Sequence, residues 1–190
     1  YEFTSDSGDY IEADGPVLVA QYAVSINQCS GIIDPPYGDP EMLYLSPVEQ
    51  GVKNAYFYAT RKESIDLNFV NIIIPQSGLA SLLIDGSPAL PTEYFPHPAN
   101  PQYAVVVRRL FGAAAQHHLL SDSSFIASVY GAGYYESYAY NMGTRVNDLN
   151  TECSYKNILS STGLSDTMTC PRSPFRLTVK LAYKASSIDW

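Results

Sequence analysis

Basic residues are missing from the first quarter of this chain. Residues 1–50 carry nine of the 19 acids and none of the 11 Lys and Arg, and the formal net charge is −8. Binding to a phosphate backbone is driven by Lys and Arg, so a nucleic-acid partner is not expected. Charged residues of all kinds are scarce, 16% against about 25% in average soluble proteins. No apolar run approaches the roughly 18 residues that a membrane helix needs, so no membrane span is expected. The stretch from Tyr1 to Tyr10 is acidic and polar, without the basic and apolar regions of a secretion signal. The three cysteines, Cys29, Cys153 and Cys170, are too few for a disulfide scaffold. They lack CxxC spacing and have no neighbouring His, which argues against zinc. GxSxG, HExxH and P-loop words are absent, and no enzyme is expected.

Apolar side chains and tyrosine are plentiful. Of 190 residues 46% are hydrophobic, enough for a sizeable core, and 16 are Tyr. Tyr suits half-buried pleated surfaces and wet interfaces. Strand signals run along the chain: Val17–Val24, Met42–Leu45, Ala55–Thr60, Phe69–Ile74, Leu82–Ile84 before an Asp85-Gly86 turn, Tyr103–Leu110, His117–Leu120, Phe125–Tyr130 and Tyr134–Tyr140. Spacings of about 8–15 residues with Gly/Pro punctuation predict an all-β fold, an antiparallel, jelly-roll-like β-sandwich. Val19, Ile72, Ile74, Leu83, Val105, Val107 and Val129 are expected to point inward. Two long loops, 25–41 and 85–102, interrupt the series, the second with five prolines. Residues 147–169 are polar with few strand signals. Pro174–Ala185 then alternates Phe175, Leu177, Val179 and Leu181 with Arg176, Thr178 and Lys180, an amphipathic strand of period two. The chain therefore divides into a domain over 1–148 and a segment over 149–190, whose strand either joins the first sheet or opens a second β module.

The densest aromatic cluster is Tyr130, Tyr134, Tyr135, Tyr138 and Tyr140. It reads either as a recognition surface, since Tyr gives large contact area at low entropy cost and stacks on sugars, or as cross-strand packing within a sheet. Asp34, Asp39 and Glu41 share a loop and form a candidate Ca²⁺ site, because hard cations need several oxygens. The competing reading is that Asp39-Pro40 makes a turn. His117 and His118 are adjacent and so face opposite sides of a strand, one buried and one exposed. His97, among prolines, is expected to be exposed. Gly131 and Gly133 read as a tight turn.

Several words occur in a familiar order: GPVLVAQY (15–22), GDPEMLYLSPVEQ (38–50), FVNIIIP (69–75), LLIDG (82–86) and FIASVYGAGYYESYAYNMG (125–143). Over about residues 10–145 they resemble the N-terminal domain of IgGFc-binding proteins. Residues 170–190 are similar to the opening of PKD-like, immunoglobulin-type repeats of bacterial surface proteins. The resemblance implies a secreted or cell-surface adhesion role, with a glycan, an extracellular protein or copies of the chain itself as partner. The alternative is a structural subunit of an extracellular filament or matrix. A secreted location permits a disulfide, and Cys153–Cys170 would close 16 intervening residues, leaving Cys29 over. The competing reading keeps all three reduced.

Overall fold

The computed structural model describes residues 1–5, 7–23, 38–112, 115–145, 152–159, 172–181 and 187. It divides into two units, Tyr1–Arg145 and Val146–Trp190. The first unit is an antiparallel β-sandwich. Its strands are β1 (Ala20–Ala23), β2 (Glu41–Tyr44), β3 (Val52–Tyr58), β4 (Ile65–Pro75), β5 (Leu83–Ile84), β6 (Ser87–Pro88), β7 (Tyr94–Pro96), β8 (Tyr103–Arg109), β9 (Gln116–Gly133) and β10 (Glu136–Asn141). Two 3₁₀ turns, Val48–Gln50 and Gln76–Ser81, are the described helical pieces.

The 18-residue β9 organises the unit. Its first part pairs with β3 on one side and β5 on the other (Phe57↔His117, Ile84↔Leu119). Its second part pairs with β4 and β10 (Val70↔Val129, Tyr140↔Val129). β6 extends the sheet beyond β5, and β8 then β7 extend it beyond β4. Between the two parts lies Ser121–Ser124, a polar run that sequence reading leaves as a gap. The strand continues through it because the hydroxyls have partners: Ser121 Oγ lies 2.9 Å from Ser81 Oγ, and the Asp122 amide donates to Ser81 Oγ. Gly78 makes this fit possible, since a Cβ there would meet Ser123 Cβ at 2.3 Å.

Alternate residues of these strands form one core: Phe57, Val70, Ile72, Ile74, Leu82, Ile84, Ala104, Val106, Leu119, Phe125, Ala127 and Val129. Ile72, Ile74 and Val129 are inward as expected, but Leu83, Val105 and Val107 are only half-buried while Leu82, Ala104 and Val106 are enclosed. Those strands are apolar at both parities, so period two does not select a face. The expected Asp85-Gly86 hairpin is present, with φ of 52° and 77° joining Ile84↔Ser87.

The proline-rich 85–102 segment contains β6 and β7, which the sequence does not signal. It is fastened to β8 by Arg108. Nε of Arg108 donates to both Glu93 carboxylate oxygens, Nη2 to Glu93 Oε2 at 2.6 Å and to the Pro88 carbonyl at 2.7 Å. The Leu90 amide donates to the same carboxylate. His97 is buried rather than exposed. Gly8 of the N-terminal segment lies against it, and its Nδ1 accepts from the Asn100 amide.

In the second unit β11 (Glu152–Asn157) pairs antiparallel with β12 (Phe175–Lys180). The predicted amphipathic strand therefore has a partner within the stretch that reads as polar. Cys153, on β11, is exposed and free. Cys170, its expected partner, and Cys29 lie outside the described residues.

Candidate binding surface

The β9–β10 hairpin separates the tyrosine cluster into three settings. Gly131 and Gly133 belong to β9 and not to a turn; the turn is Tyr134–Tyr135, with Tyr135 at φ 56°. Tyr134 and Tyr135 are exposed there, edge to face at 4.5 Å. Tyr130 points to the outer face and stacks on Phe69 of β4, centroids 5.1 Å apart. Tyr138 and Tyr140 turn the other way and pack against the core.

Tyr138 lies over Gly131, where a Cβ would meet its Cε1 at 2.3 Å and Asn68 Oδ1 at 2.7 Å. The glycine is thus the space that the ring occupies. The Tyr138 hydroxyl donates to Asn68 Oδ1, and Asn68, 2% exposed, passes a hydrogen bond to the Thr60 carbonyl. Burial pushes the Tyr138 phenol up to about 12, against the lowering contribution of the Thr60 backbone.

Tyr140 reaches across to β3. Its hydroxyl donates to the Tyr58 carbonyl at 2.5 Å and accepts from the Tyr58 amide at 2.9 Å. Burial raises its pKa too. Tyr140 lines two neighbouring shallow depressions. One is walled by Met42, Leu43 and Tyr44 of β2 and by Ala139 and Asn141. The other is walled by Tyr56, Phe57, Tyr58 and Gln116. Together they make one aromatic surface on which Tyr44, Tyr56 and Tyr58 are more than half exposed.

Packing on β3 and β9 holds part of this surface rigid. The Tyr56 ring stacks on His118 at 4.2 Å and 12°, and His118 Nε2 lies 2.8 Å from Asn54 Oδ1. On the opposite face His117 is buried, stacked on Phe57, with Nδ1 2.7 Å from Asp85 Oδ2. Asp85 Oδ1 accepts from the His118 amide. The histidines thus divide between the faces, and His117 ties the β5–β6 turn to β9.

Of the candidate calcium ligands, Asp34 lies outside the described residues. Asp39 is bound through its backbone: its amide donates to Ser137 Oγ, and that hydroxyl donates to its carbonyl. Glu41 starts β2. Among the described residues no three His, Cys, Asp or Glu side chains gather closely enough to hold a metal.

The residues that sequence reading did not single out as a surface are Met42, Tyr44, Tyr56 and Tyr58. A signal was present in the alternation of AYFYAT: Phe57 takes the core, so its tyrosine neighbours face outward.

Among the described residues no helix is long and apolar enough to cross a membrane. Searches of curated proteins and of solved structures gave no match. A family model described as IgGFc binding protein matches residues 1–131, which contain β1–β8 and most of β9, with β10 beyond the match. The match covers more than half of the chain, and the chain belongs to the IgGFc-binding protein family.

Proposed function

We propose that the first unit is a non-enzymatic, extracellular binding domain of a secreted or cell-surface protein. Its partner is an extracellular protein or a glycan, engaged through the surface of Met42, Tyr44, Tyr140, Tyr58 and Tyr56. The observation that carries this reading is the set of exposed tyrosine rings backed by rigid contacts, Tyr56 on His118 and Tyr140 on the Tyr58 backbone. Preordered rings offer contact area at little further entropy cost on binding. Family membership supports a protein partner and an extracellular setting. The test is binding of the purified chain to IgG Fc, a panel of extracellular matrix proteins and a glycan array, with Tyr56→Ala/Tyr58→Ala beside Tyr134→Ala/Tyr135→Ala. The proposal expects the first pair to lose at least tenfold in affinity and the second to bind as wild type. The reverse pattern would move the site to the hairpin tip.

A second reading, self-association into a filament or matrix, draws on the second unit. Phe175, Leu177 and Val179 of β12 share a face with Tyr155, and Phe175 and Leu177 are exposed. An isolated two-stranded ribbon is at best marginally stable in water, so this face gains from a cover. Light scattering after size exclusion distinguishes the readings, with a monomer over 1–100 µM refuting self-association. We read this unit as the opening of a further β module; the family match ends at residue 131 and gives no support for assigning it to PKD-like repeats.

A further inference from the structure

β3 is an edge strand whose backbone is only partly closed. Among the described residues it pairs with β9 alone. The Ala59 amide bonds to the Ala115 carbonyl, so the alternation of an antiparallel ladder turns Ala59, Phe57 and Ala55 toward β9. Tyr58, Tyr56 and Asn54 then present N–H and C=O to the open side. At Tyr58 both groups are taken by the Tyr140 hydroxyl. At Tyr56 and Asn54 neither backbone group has a hydrogen-bond partner among the described residues.

The other edges of this sheet are closed or short. β6 is two residues and ends in Pro88; β7 is three and ends in Pro96. Proline and brevity both discourage added strands. The outer side of β10 lies beside β2 and Asp39, to which β10's own side chains bond, Ser137 to the Asp39 backbone and Asn141 Nδ2 to the Tyr44 carbonyl. β3 has seven residues and no proline.

We propose that the β3 edge at Asn54–Tyr56 accepts an extended segment of a partner protein as an added antiparallel or parallel strand, with the Tyr140 hydroxyl marking where the added strand ends. The proposal rests on the binding reading above and specifies its ligand as polypeptide backbone. Unpaired N–H and C=O groups alternating along a strand are matched by another extended main chain, which is how strand addition gains affinity. Tyr56 and Tyr58, exposed beside the edge, supply side-chain contacts, and exposed Lys53 offers a positive charge to an acidic residue of the incoming segment. A second copy of this chain is not the favoured occupant. The open edge spans three residues, roughly 10 Å, and symmetric pairing over that length falls far short of the roughly 1,000 Å² that a specific dimer buries.

The experiment selects linear seven-residue peptides from a randomised phage library on the 190-residue chain. Enriched synthetic peptides are then titrated against wild type, Tyr56→Ala, Tyr56→Pro and Tyr135→Ala. Alanine at 56 removes the ring alone, and proline removes the ring and the outward N–H while leaving the β9 ladder intact, so the difference between the two isolates the main-chain contribution. Expected is a further affinity loss of about tenfold or more from Tyr56→Ala to Tyr56→Pro, since one lost bond and the disturbed edge together cost that much, and none for Tyr135→Ala. Amide exchange on wild type reads the same contact without a variant: the Tyr56 amide exchanges freely in the unliganded chain and becomes protected with peptide bound. Peptides that bind Tyr56→Pro as they bind Tyr56→Ala, or that leave the Tyr56 amide unprotected, overturn strand addition while leaving a side-chain binding surface in place. Failure to enrich any peptide, with glycans bound through Tyr56 and Tyr58, overturns the polypeptide ligand but not the surface.

Discussion

Removing the Arg108 side chain should loosen the whole proline-rich segment. Arg108 and Glu93 side chains are 13% and 19% exposed, and four of the bonds that Arg108 makes are charge-assisted or run to a backbone carbonyl at 2.6–3.1 Å. Breaking a fully buried ion pair costs about 3–5 kcal/mol; the residual exposure of this pair reduces that to about 2–4 kcal/mol for Arg108→Ala. For a unit of this size the melting temperature falls by about 6–12 °C. Glu93→Gln keeps part of the hydrogen bonding and costs less, about 1–2 kcal/mol. The pH dependence separates charge from packing. Burial acts to raise the Glu93 pKa, but the Arg108 hydrogen bonds, the Leu90 amide and the Arg108 charge outweigh it and hold the carboxyl below its ordinary value of 4.5. A carboxyl depressed in the folded state contributes stability that is complete above its unfolded pKa and lost as pH falls through its folded one. Urea unfolding of wild type and Glu93→Gln should therefore differ by a constant amount from pH 6 to 8 and converge below about pH 4.5. A difference as large at pH 3 as at pH 7, or an Arg108→Ala variant within 0.5 kcal/mol of wild type on the usual surface-substitution scale, would refute the clasp.

Gly131→Ala should destabilise by about 2–4 kcal/mol, because the new methyl meets Tyr138 and Asn68, whereas Gly86→Ala meets no neighbouring atom and suffers only its positive φ; chemical denaturation of both measures the contrast. Tyr138→Phe strands Asn68 Oδ1 in the core and should cost about 1–3 kcal/mol by the same assay, with little change in the β-rich circular dichroism spectrum. Val106→Asp should prevent folding while Val105→Asp, one residue away on the outer face, leaves a cooperative melt; equal outcomes would mean that the β8 faces are misassigned. Cys153, exposed and free, should be labelled by a thiol reagent in non-reducing mass spectrometry, and a Cys153–Cys170 bridge found instead would point to a disulfide-forming compartment.

Most strands are readable because their composition shifts sharply at turns. The FVNIII and YAVVVRR runs announce β4 and β8, and Asp85-Gly86 announces its hairpin. Their inward faces are harder to read, because Val105, Val106 and Val107 are equally apolar and only the cross-strand partners choose among them. β9 looks like two strands since Ser121–Ser124 is polar; the compensating hydroxyl bonds come from Ser81, 40 residues earlier. β7 is masked by prolines and β11 by polar residues whose pairing partner lies beyond residue 170. At the surface, local density misleads. The five tyrosines nearest in sequence are split between core, outer face and turn, while the exposed set draws on β2, β3 and β10. Short-range pattern gives a residue's parity; which strands then lie side by side depends on contacts of long sequence separation.

One strand shared by both layers also decides how the sandwich can come apart. Phe57 of β3 and Ile84 of β5 in one layer, and Val70 of β4 and Tyr140 of β10 in the other, all pair with β9. Neither layer can peel away without exposing the hydrogen-bonding edge of a strand that the other still holds, so partial opening leaves unpaired backbone and uncovered core together. Such an arrangement leaves no intermediate of low free energy in which one layer stands alone. The slowest-exchanging amides of both layers should accordingly report one and the same opening free energy, equal to that of global unfolding.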